Sequence, residues 1–184
     1  MGLRDGGLRE SLRAQGLKQG GLRASLRNLN STAPDIPDSV VSRDPDDDIA
    51  NRSDTFGIEV STSIEWPDIG ATISQNTVGA TRAYIYQMSD GTLIEDTDIS
   101  SLSAGESFTF GLSEPLTSGN YSFAVDAEGA SYDVGFFLGN FPYTSSDENI
   151  SIVGGTDNTD SGGAPTDSSA NAHGLVTVGN VGFE

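Results

Sequence analysis

Short runs in which apolar residues recur at every second position dominate the chain from residue 55 onward. Phe56, Ile58 and Val60 alternate with polar neighbours, which is the pattern of a strand with one buried face. Turn signals separate the runs about every 8–12 residues, and no helical period lies between them. The pattern predicts an all-β fold over residues 55–184, an antiparallel β-sandwich of jelly-roll-like type. Further strands are predicted at 69–74, 80–86, 92–99, 107–112, 121–125, 132–138 and 149–153.

One segment carries a more specific signal for this fold. The residues from Leu116 to Tyr121 resemble a frequent entry to a late strand of a sandwich. In that arrangement the tyrosine packs on the corner and its hydroxyl reaches the backbone. We therefore expect Tyr121 to have this structural role, which supports the fold and says nothing about function.

Two other segments lack the period of two. Residues 31–54 contain three prolines and a carboxylate run at Asp44, Asp46, Asp47 and Asp48, so they are predicted to form an extended acidic linker. Residues 154–174 are rich in Gly, Ser, Asp and Thr and are predicted to form a long exposed loop, either functional or passive. The apolar residues 175–181 predict a last strand that returns to the sandwich.

Charge divides the chain into a basic leader and an acidic body. Residues 1–30 hold six basic and two acidic residues, a net charge of +4. Residues 31–184 hold three arginines and 25 acidic residues, a net charge of −22. Such a body repels phosphate, so nucleic acid is not an expected partner. Because its self-repulsion fades at molar salt, where the Debye length is about 3 Å, the balance favours a protein from a salt-loving organism over an ordinary acidic secreted protein.

The leader contains an internal repeat: GGLRESLR at 6–13 recurs as GGLRASLR at 20–27. Every basic residue there follows a leucine, and glycines that cost about 1 kcal/mol each inside a helix interrupt the pattern. We therefore expect this docking peptide to fold on a partner, with leucines in pockets and cations against carboxylates. The predicted docking residues are Leu3, Arg4, Leu8, Arg9, Leu12, Arg13, Leu17, Lys18, Leu22, Arg23, Leu26 and Arg27.

Three weaker alternatives for the leader stay open: a membrane-surface anchor, a nucleic-acid-binding tail and a solvated segment. The glycines break the apolar face that an anchor needs, and the leader has no aromatic residue for base stacking. No run approaches 18 apolar residues, so no membrane-spanning helix is expected.

Signals for catalysis are weak. The chain has no cysteine and a single histidine, His173, so the usual zinc ligand sets are not expected, and a nucleophile–histidine dyad would have to use His173 itself. Paired carboxylates occur throughout so acidic a chain and do not by themselves indicate a glycosidase. The sequence therefore predicts a protein that is not an enzyme and has no cofactor or metal site, with any bound cation left unassigned.

Aromatic side chains offer a sandwich another way to bind a ligand, because a flat ring beside Asp or Asn suits the face of a sugar. The candidates are Trp66, Asn140 and Tyr143. The alternative for each aromatic residue is that it fills the core.

Four phrases carry a resemblance to a known group of proteins: the Leu-Arg/Gly repeat, PDIPDSVVSR, IEWPDIGATIS and GATRAYIYQMSDG. Together they resemble virion structural proteins of haloarchaeal tailed viruses, either tail-fibre or baseplate-attached proteins or other surface proteins of the particle. The resemblance implies a protein on the virion surface that docks on other virion proteins through residues 1–30 and displays a β-domain outward.

That resemblance also implies a role in attachment to the host, with a host-surface glycan or protein as a partner. A homo-oligomer is expected, because fibres and spikes are symmetric assemblies. The alternatives are a capsid turret or decoration protein, a secreted carbohydrate-binding module, and a hydrolase built on Asp/Glu pairs.

Overall fold

The computed structural model describes residues 46–138, 141–145, 148–158, 164–169, 171–179 and 181–182. Every regular element in these ranges is a β-strand, and every strand pair is antiparallel, so the all-β prediction is confirmed. The strands are β1 Asp46–Arg52, β2 Phe56–Thr62, β3 Ile69–Ile73, β4 Arg82–Gln87, β5 Leu93–Asp98, β6 Ser107–Phe110, β7 Gly119–Asp126, β8 Tyr132–Leu138, β9 Tyr143–Thr144, β10 Ile150–Asp157, β11 Asp167–Ser169, β12 Asn171–His173, β13 Leu175–Val178 and β14 Val181–Gly182.

The strands of the described ranges form one large and two smaller sheets. The large sheet has the order β11-β10-β2-β7-β4-β5, with β9 paired to β10. The smaller sheets have the orders β14-β13-β3-β6 and β1-β8-β12. In the large sheet Ile58 of β2 lies opposite Phe123 of β7, which in turn lies opposite Ile85 of β4. These three side chains are fully buried, so this row marks the core-facing side of the sheet.

The core lies between the large sheet and the smaller ones. Phe110 of β6 meets Phe123 of β7 edge to face, with ring centroids 5.7 Å apart, so two sheets are in direct contact there. Buried residues of β3 and β13, such as Ile69 and Leu175, belong to the same apolar cluster. The alternation seen in the sequence therefore places one face of each main strand in a shared interior.

The expected structural part of Tyr121 is confirmed. Its side chain is buried, and its hydroxyl donates to the carbonyl oxygen of Thr117 at 2.9 Å. Thr117 lies four residues upstream, in the connection that leads into β7. This bond fixes the path of the chain where it enters the sheet next to β2 and β4.

Part of the predicted linker 31–54 is a strand instead. The segment Asp46–Arg52 forms β1 and pairs with β8, from Asp46 opposite Phe136 to Arg52 opposite Tyr132. Sequence reasoning missed it because β1 has no alternating apolar face, and its one large apolar side chain, Ile49, is 53% exposed. Backbone pairing with β8 therefore defines this strand. Residues 31–45 and the docking peptide lie outside the described residues.

The predicted loop 154–174 is also partly strand. Its first residues belong to β10, and β11 and β12 fall within it. The loop prediction was wrong here because small residues allow the strands to approach closely. A Cβ on Gly154, for example, would lie only 2.9 Å from the carbonyl oxygen of Ser169 on β11. Low-complexity Gly and Ser residues here allow close strand pairing. The expected last strand is present as β13, Leu175–Val178.

Candidate functional site

Trp66, the first aromatic candidate from the sequence, lies in the core and cannot present its ring to a ligand. It is fully buried, and its ring centroid lies 6.0 Å from that of Phe123. Its backbone exchanges two hydrogen bonds with Leu116, at 2.9 and 3.0 Å. A Cβ on Gly179 would overlap the indole, so the ring fills its space completely. The prediction that Trp66 binds a ligand is wrong, because its large apolar ring is buried in the core and is not exposed at the surface.

The other predicted ligand residues are not brought together with Trp66. Tyr143 is half-buried in β9, and its ring meets Phe141 edge to face at 5.4 Å. Asn140 and the docking residues of the leader lie outside the described residues. The backbone of His173 belongs to β12 and lies opposite Phe136.

The outward side of the large sheet carries a buried polar cluster at its centre. Glu59 of β2 is 8% exposed, and its carboxylate accepts hydrogen bonds from Asn120 at 3.3 Å and from Ser168 at 2.9 Å. The hydroxyls of Ser122 and Thr156 are hydrogen-bonded at 2.7 Å. These bonds join β2, β7, β10 and β11, so the cluster links four strands of the sheet.

Two tyrosines stand beside this cluster, on β4. Tyr84 and Tyr86 share the outward side because Ala83 and Ile85 between them point into the core. Their ring centroids are 5.6 Å apart with a 36° tilt. The Tyr84 hydroxyl donates to Asp126 at 3.1 Å. Burial, followed by the Asp126 carboxylate, raises the pKa of both phenols, so they remain protonated hydrogen-bond donors.

Charged groups border these two rings. Arg82 lies opposite Asp126 on one neighbouring strand and Asp98 on the other. Its guanidinium forms an ion pair with Asp96, in which Nε donates to Oδ1 at 2.7 Å. We define the tyrosine face as Arg82, Tyr84, Tyr86, Asp96 and Asp126. Half-buried rings flanked by carboxylates and a guanidinium combine stacking surface with hydrogen-bonding groups, which is what recognition of a polyhydroxyl ligand requires.

Sequence analysis did not select the tyrosine face, although its signal was present. The alternation Arg82-Ala-Tyr-Ile-Tyr86 shows that the two tyrosines share a side of β4. Which side of β4 faces outward depends on how it is placed in the sheet between its neighbouring strands β5 and β7. Only the assembled sheet shows that Ala83 and Ile85 fill the core.

A second outward feature is the edge strand β5. Within the described residues it pairs on one side only, with β4. Leu93 and Ile94 are 48% and 40% exposed. Ile94 also borders a surface cavity of about 230 Å³ whose other apolar walls include Leu112, Leu116 and Tyr121. An exposed apolar pair beside an open cavity is a feature of docking surfaces.

A separate cavity of about 270 Å³ lies between β3 and the connection before β6. Its walls include Thr77, Val78 and Leu102. The Thr77 hydroxyl is buried and has no hydrogen-bond partner among the described residues.

The described part of the chain is strongly acidic. Its basic side chains with described positions are Arg52 and Arg82, and each is paired with a carboxylate, Asp54 and Asp96 respectively. No group of three or more His, Asp and Glu side chains in the described ranges is arranged to hold a metal ion. Among the same residues, no helix has the length and apolar character to cross a membrane.

Comparison with family models, curated proteins and solved structures finds no family, relative or structural neighbour that matches this chain.

Proposed function

We propose that this chain is a non-enzymatic structural protein of a virus particle, which docks through residues 1–30 and displays its β-sandwich on the particle surface. Among such proteins, we favour a tail-fibre or baseplate protein with a role in attachment to the host. A capsid turret or decoration protein is the alternative within the same plan. The observation that carries the proposal is the division of charge, +4 over residues 1–30 and −22 over the rest.

This division gives the two parts different tasks. Acidic bodies repel one another and every other acidic protein, so a body of net charge −22 has few means of lasting attachment. Its described arginines, Arg52 and Arg82, are already paired with its own carboxylates. The leader supplies both missing components, cations for steering and leucines for burial.

The described strands support display of the body as a separate unit. A single apolar cluster runs from Phe56 of β2 to Val178 of β13, so this part has its own core. Tyr132 adds a polar link, because its hydroxyl lies 2.9 Å from the carbonyl oxygen of Val125 and 3.1 Å from that of Asp54. A core built from the body's own strands supports a division of tasks in which residues 1–30 dock on a partner.

Incorporation into particles tests the proposal. In one variant Leu8, Leu12, Leu22 and Leu26 become serine, which keeps the leader charge of +4. In a second, Arg9, Arg13, Arg23 and Arg27 become glutamine, which keeps the leucines. We expect both variants to be lost from purified particles, because docking needs apolar burial and charge pairing together. Arg52→Gln, an arginine outside the leader, is the control and should be incorporated normally. Normal incorporation of both leader variants would refute the docking role.

A second candidate function is carbohydrate binding by the sandwich, and the tyrosine face is the observation that favours it. Tyr84→Ala combined with Tyr86→Ala removes the ring pair. We expect this variant to lose binding to host-envelope glycans at molar salt, with stacking losses of about 1 kcal/mol per ring. Tyr143→Ala changes an aromatic residue outside this face and should bind normally. If only Tyr143→Ala loses binding, the ligand lies elsewhere on the sandwich.

A further inference from the structure

We propose that the free edge of β5 binds the leucine–arginine repeat of a second copy of this chain as an added strand. This inference rests on the proposed docking role of residues 1–30 and names its partner. The bound segment is one of the two repeats, residues 6–13 or residues 20–27.

The first step in the argument is the open edge itself. Within the described residues β5 ends the large sheet and pairs only with β4. In an antiparallel pair, every second residue points its N–H and C=O groups away from the partner strand. An edge strand therefore presents a row of main-chain donors and acceptors to a further strand.

The second step is the difference between the two sides of β5. Asp96 and Asp98 lie on the outward side, where they stand opposite Tyr84 and Arg82 of β4. Arg82 neutralises one of these two carboxylates and leaves the outward side with net negative charge. Ile94 lies at the register irregularity between β4 and β5, where the regular alternation of β5 is interrupted. It borders the cavity of about 230 Å³, whose walls combine apolar residues such as Leu112 with polar ones such as Glu114. The edge thus offers carboxylates on its outward side and an apolar side chain beside the cavity.

The third step is the alternation in the leader. Leucine and arginine are adjacent in each repeat, so an extended backbone places them on opposite sides. Leu8 and Leu12 then share one side, about 13 Å apart at 3.3 Å per residue. Arg9 and Arg13 share the other. A strand laid along β5 with its leucines toward the cavity therefore points its arginines toward Asp96 and Asp98.

Size and charge agree with this fit. β5 has six residues, about 20 Å of strand, and one eight-residue repeat covers that length. The cavity has room for a leucine side chain. The body is acidic throughout, so a basic strand from another copy removes the repulsion that keeps acidic edges apart.

The contact joins two different surfaces, a leader on one copy and an edge on the next. Such a contact is heterologous, so it produces a ring where the rotation closes and an open chain where it does not. The leader and the edge of β5 can also be inactivated separately by mutation.

Self-association of the full chain tests the inference, with sedimentation velocity over a wide concentration range as the measurement. The leader variant carries Leu8, Leu12, Leu22 and Leu26 as serine, and the edge variant is Ile94→Asp. We expect the wild type to associate, and each variant alone to associate at least about ten-fold more weakly, because a central apolar contact is lost. An equal mixture of the two variants should associate again, because one supplies an intact leader and the other an intact edge.

Two controls keep the result interpretable. Val153→Asp places the same charge on a residue of similar exposure, 38%, on β10 and should associate like the wild type. Leu93→Asp is a second edge variant in case Ile94→Asp fails to fold, as judged by circular dichroism.

Three results would overturn the inference: a wild type that stays monomeric, an edge variant that associates normally, or a mixture that fails to associate. A monomeric wild type that still enters particles through its leader would leave the proposed function standing, with another virion protein as the partner. A leader that is dispensable for particle incorporation would refute the proposed function itself.

Discussion

Gly57 illustrates how a single residue sets the spacing of the large sheet. It lies on β2 opposite Ala124 of β7, and a Cβ at this position would overlap the carbonyl oxygen of Phe123. The obstacle is backbone, which cannot rotate away as a side chain can. No alternation pattern in the sequence signals this, because the constraint comes from a strand more than sixty residues further along the chain.

Gly57→Ala should therefore lower the free energy of unfolding by about 2–4 kcal/mol, the range of severe overpacking. Urea unfolding at molar salt measures the change. Gly129→Ala is the matched control, since a Cβ there would meet nothing within 4 Å, so only its positive φ of +85° adds a cost, of about 1–2 kcal/mol. Equal losses for the two variants would show that the Gly57 contact is relieved by movement of the strands.

We expect three tyrosines to influence the stability of the fold at alkaline pH. Burial raises the pKa of Tyr84, Tyr86 and Tyr132 above the ordinary value, and the carboxylate of Asp126 adds to the effect. Above about pH 10 the unfolded chain loses phenolic protons that the folded chain keeps, so the free energy of unfolding falls as the pH rises.

We expect this decline to be shallower when Tyr84 and Tyr132 are replaced by phenylalanine, because two of the linked protons disappear. Unfolding curves between neutral and alkaline pH measure the slope. A slope unchanged by both substitutions would place the alkaline transition on other groups.

At the scale of elements, the sequence predicted strands β2 to β8, β10 and β13, and it missed strands such as β1 and β11, which show no apolar alternation. β2, β4 and β7 were predicted because alternating residues such as Ile58, Ile85 and Phe123 are buried. β1 is defined by backbone pairing with the distant strand β8, and β11 by backbone pairing with β10, so neither has an apolar period in its own residues. The tyrosine face could not be predicted for a similar reason, because the outward orientation of its side chains depends on the neighbouring strands. Trp66 was misassigned because the sequence alone does not show whether an aromatic ring is displayed or buried.

A side-chain contact with Glu59 adds to the backbone pairing of β11. It has three residues, and Ser168 donates to the buried carboxylate of Glu59 at 2.9 Å. Ser168→Ala should reduce the hydrogen-exchange protection of β11 while β2 remains protected, because the bond contributes about 1–3 kcal/mol to a charged acceptor. Thr144→Ala, which removes an exposed hydroxyl pair with Ser151, is the control. Unchanged hydrogen exchange at β11 would show that its backbone pairing with β10, and not the Ser168 bond, determines its stability.

At the scale of the whole molecule, we expect the net charge to influence the salt concentration at which the fold is stable. The body carries −22, and the Debye length falls from about 10 Å at 0.1 M salt to about 3 Å at 1 M. Screening of this repulsion should raise the melting temperature by several degrees between those conditions.

Thermal melts followed by circular dichroism in KCl and in NaCl measure this shift. Equal increases in the two salts indicate screening, and an increase in only one indicates a specific ion. A melting temperature that is the same in dilute and molar salt would remove the case for an origin in a saline environment.

The order of the large sheet has a consequence for synthesis of the chain on the ribosome. β2 pairs with β7 at Gly119–Asp126 and with β10 at Ile150–Asp157, so its partners are translated long after it. At about 5–20 residues per second, several seconds pass before β2 can be enclosed on both edges. Residues 1–30 precede β2 and emerge before it. If they dock as proposed, assembly on the partner would begin before the sheet is complete.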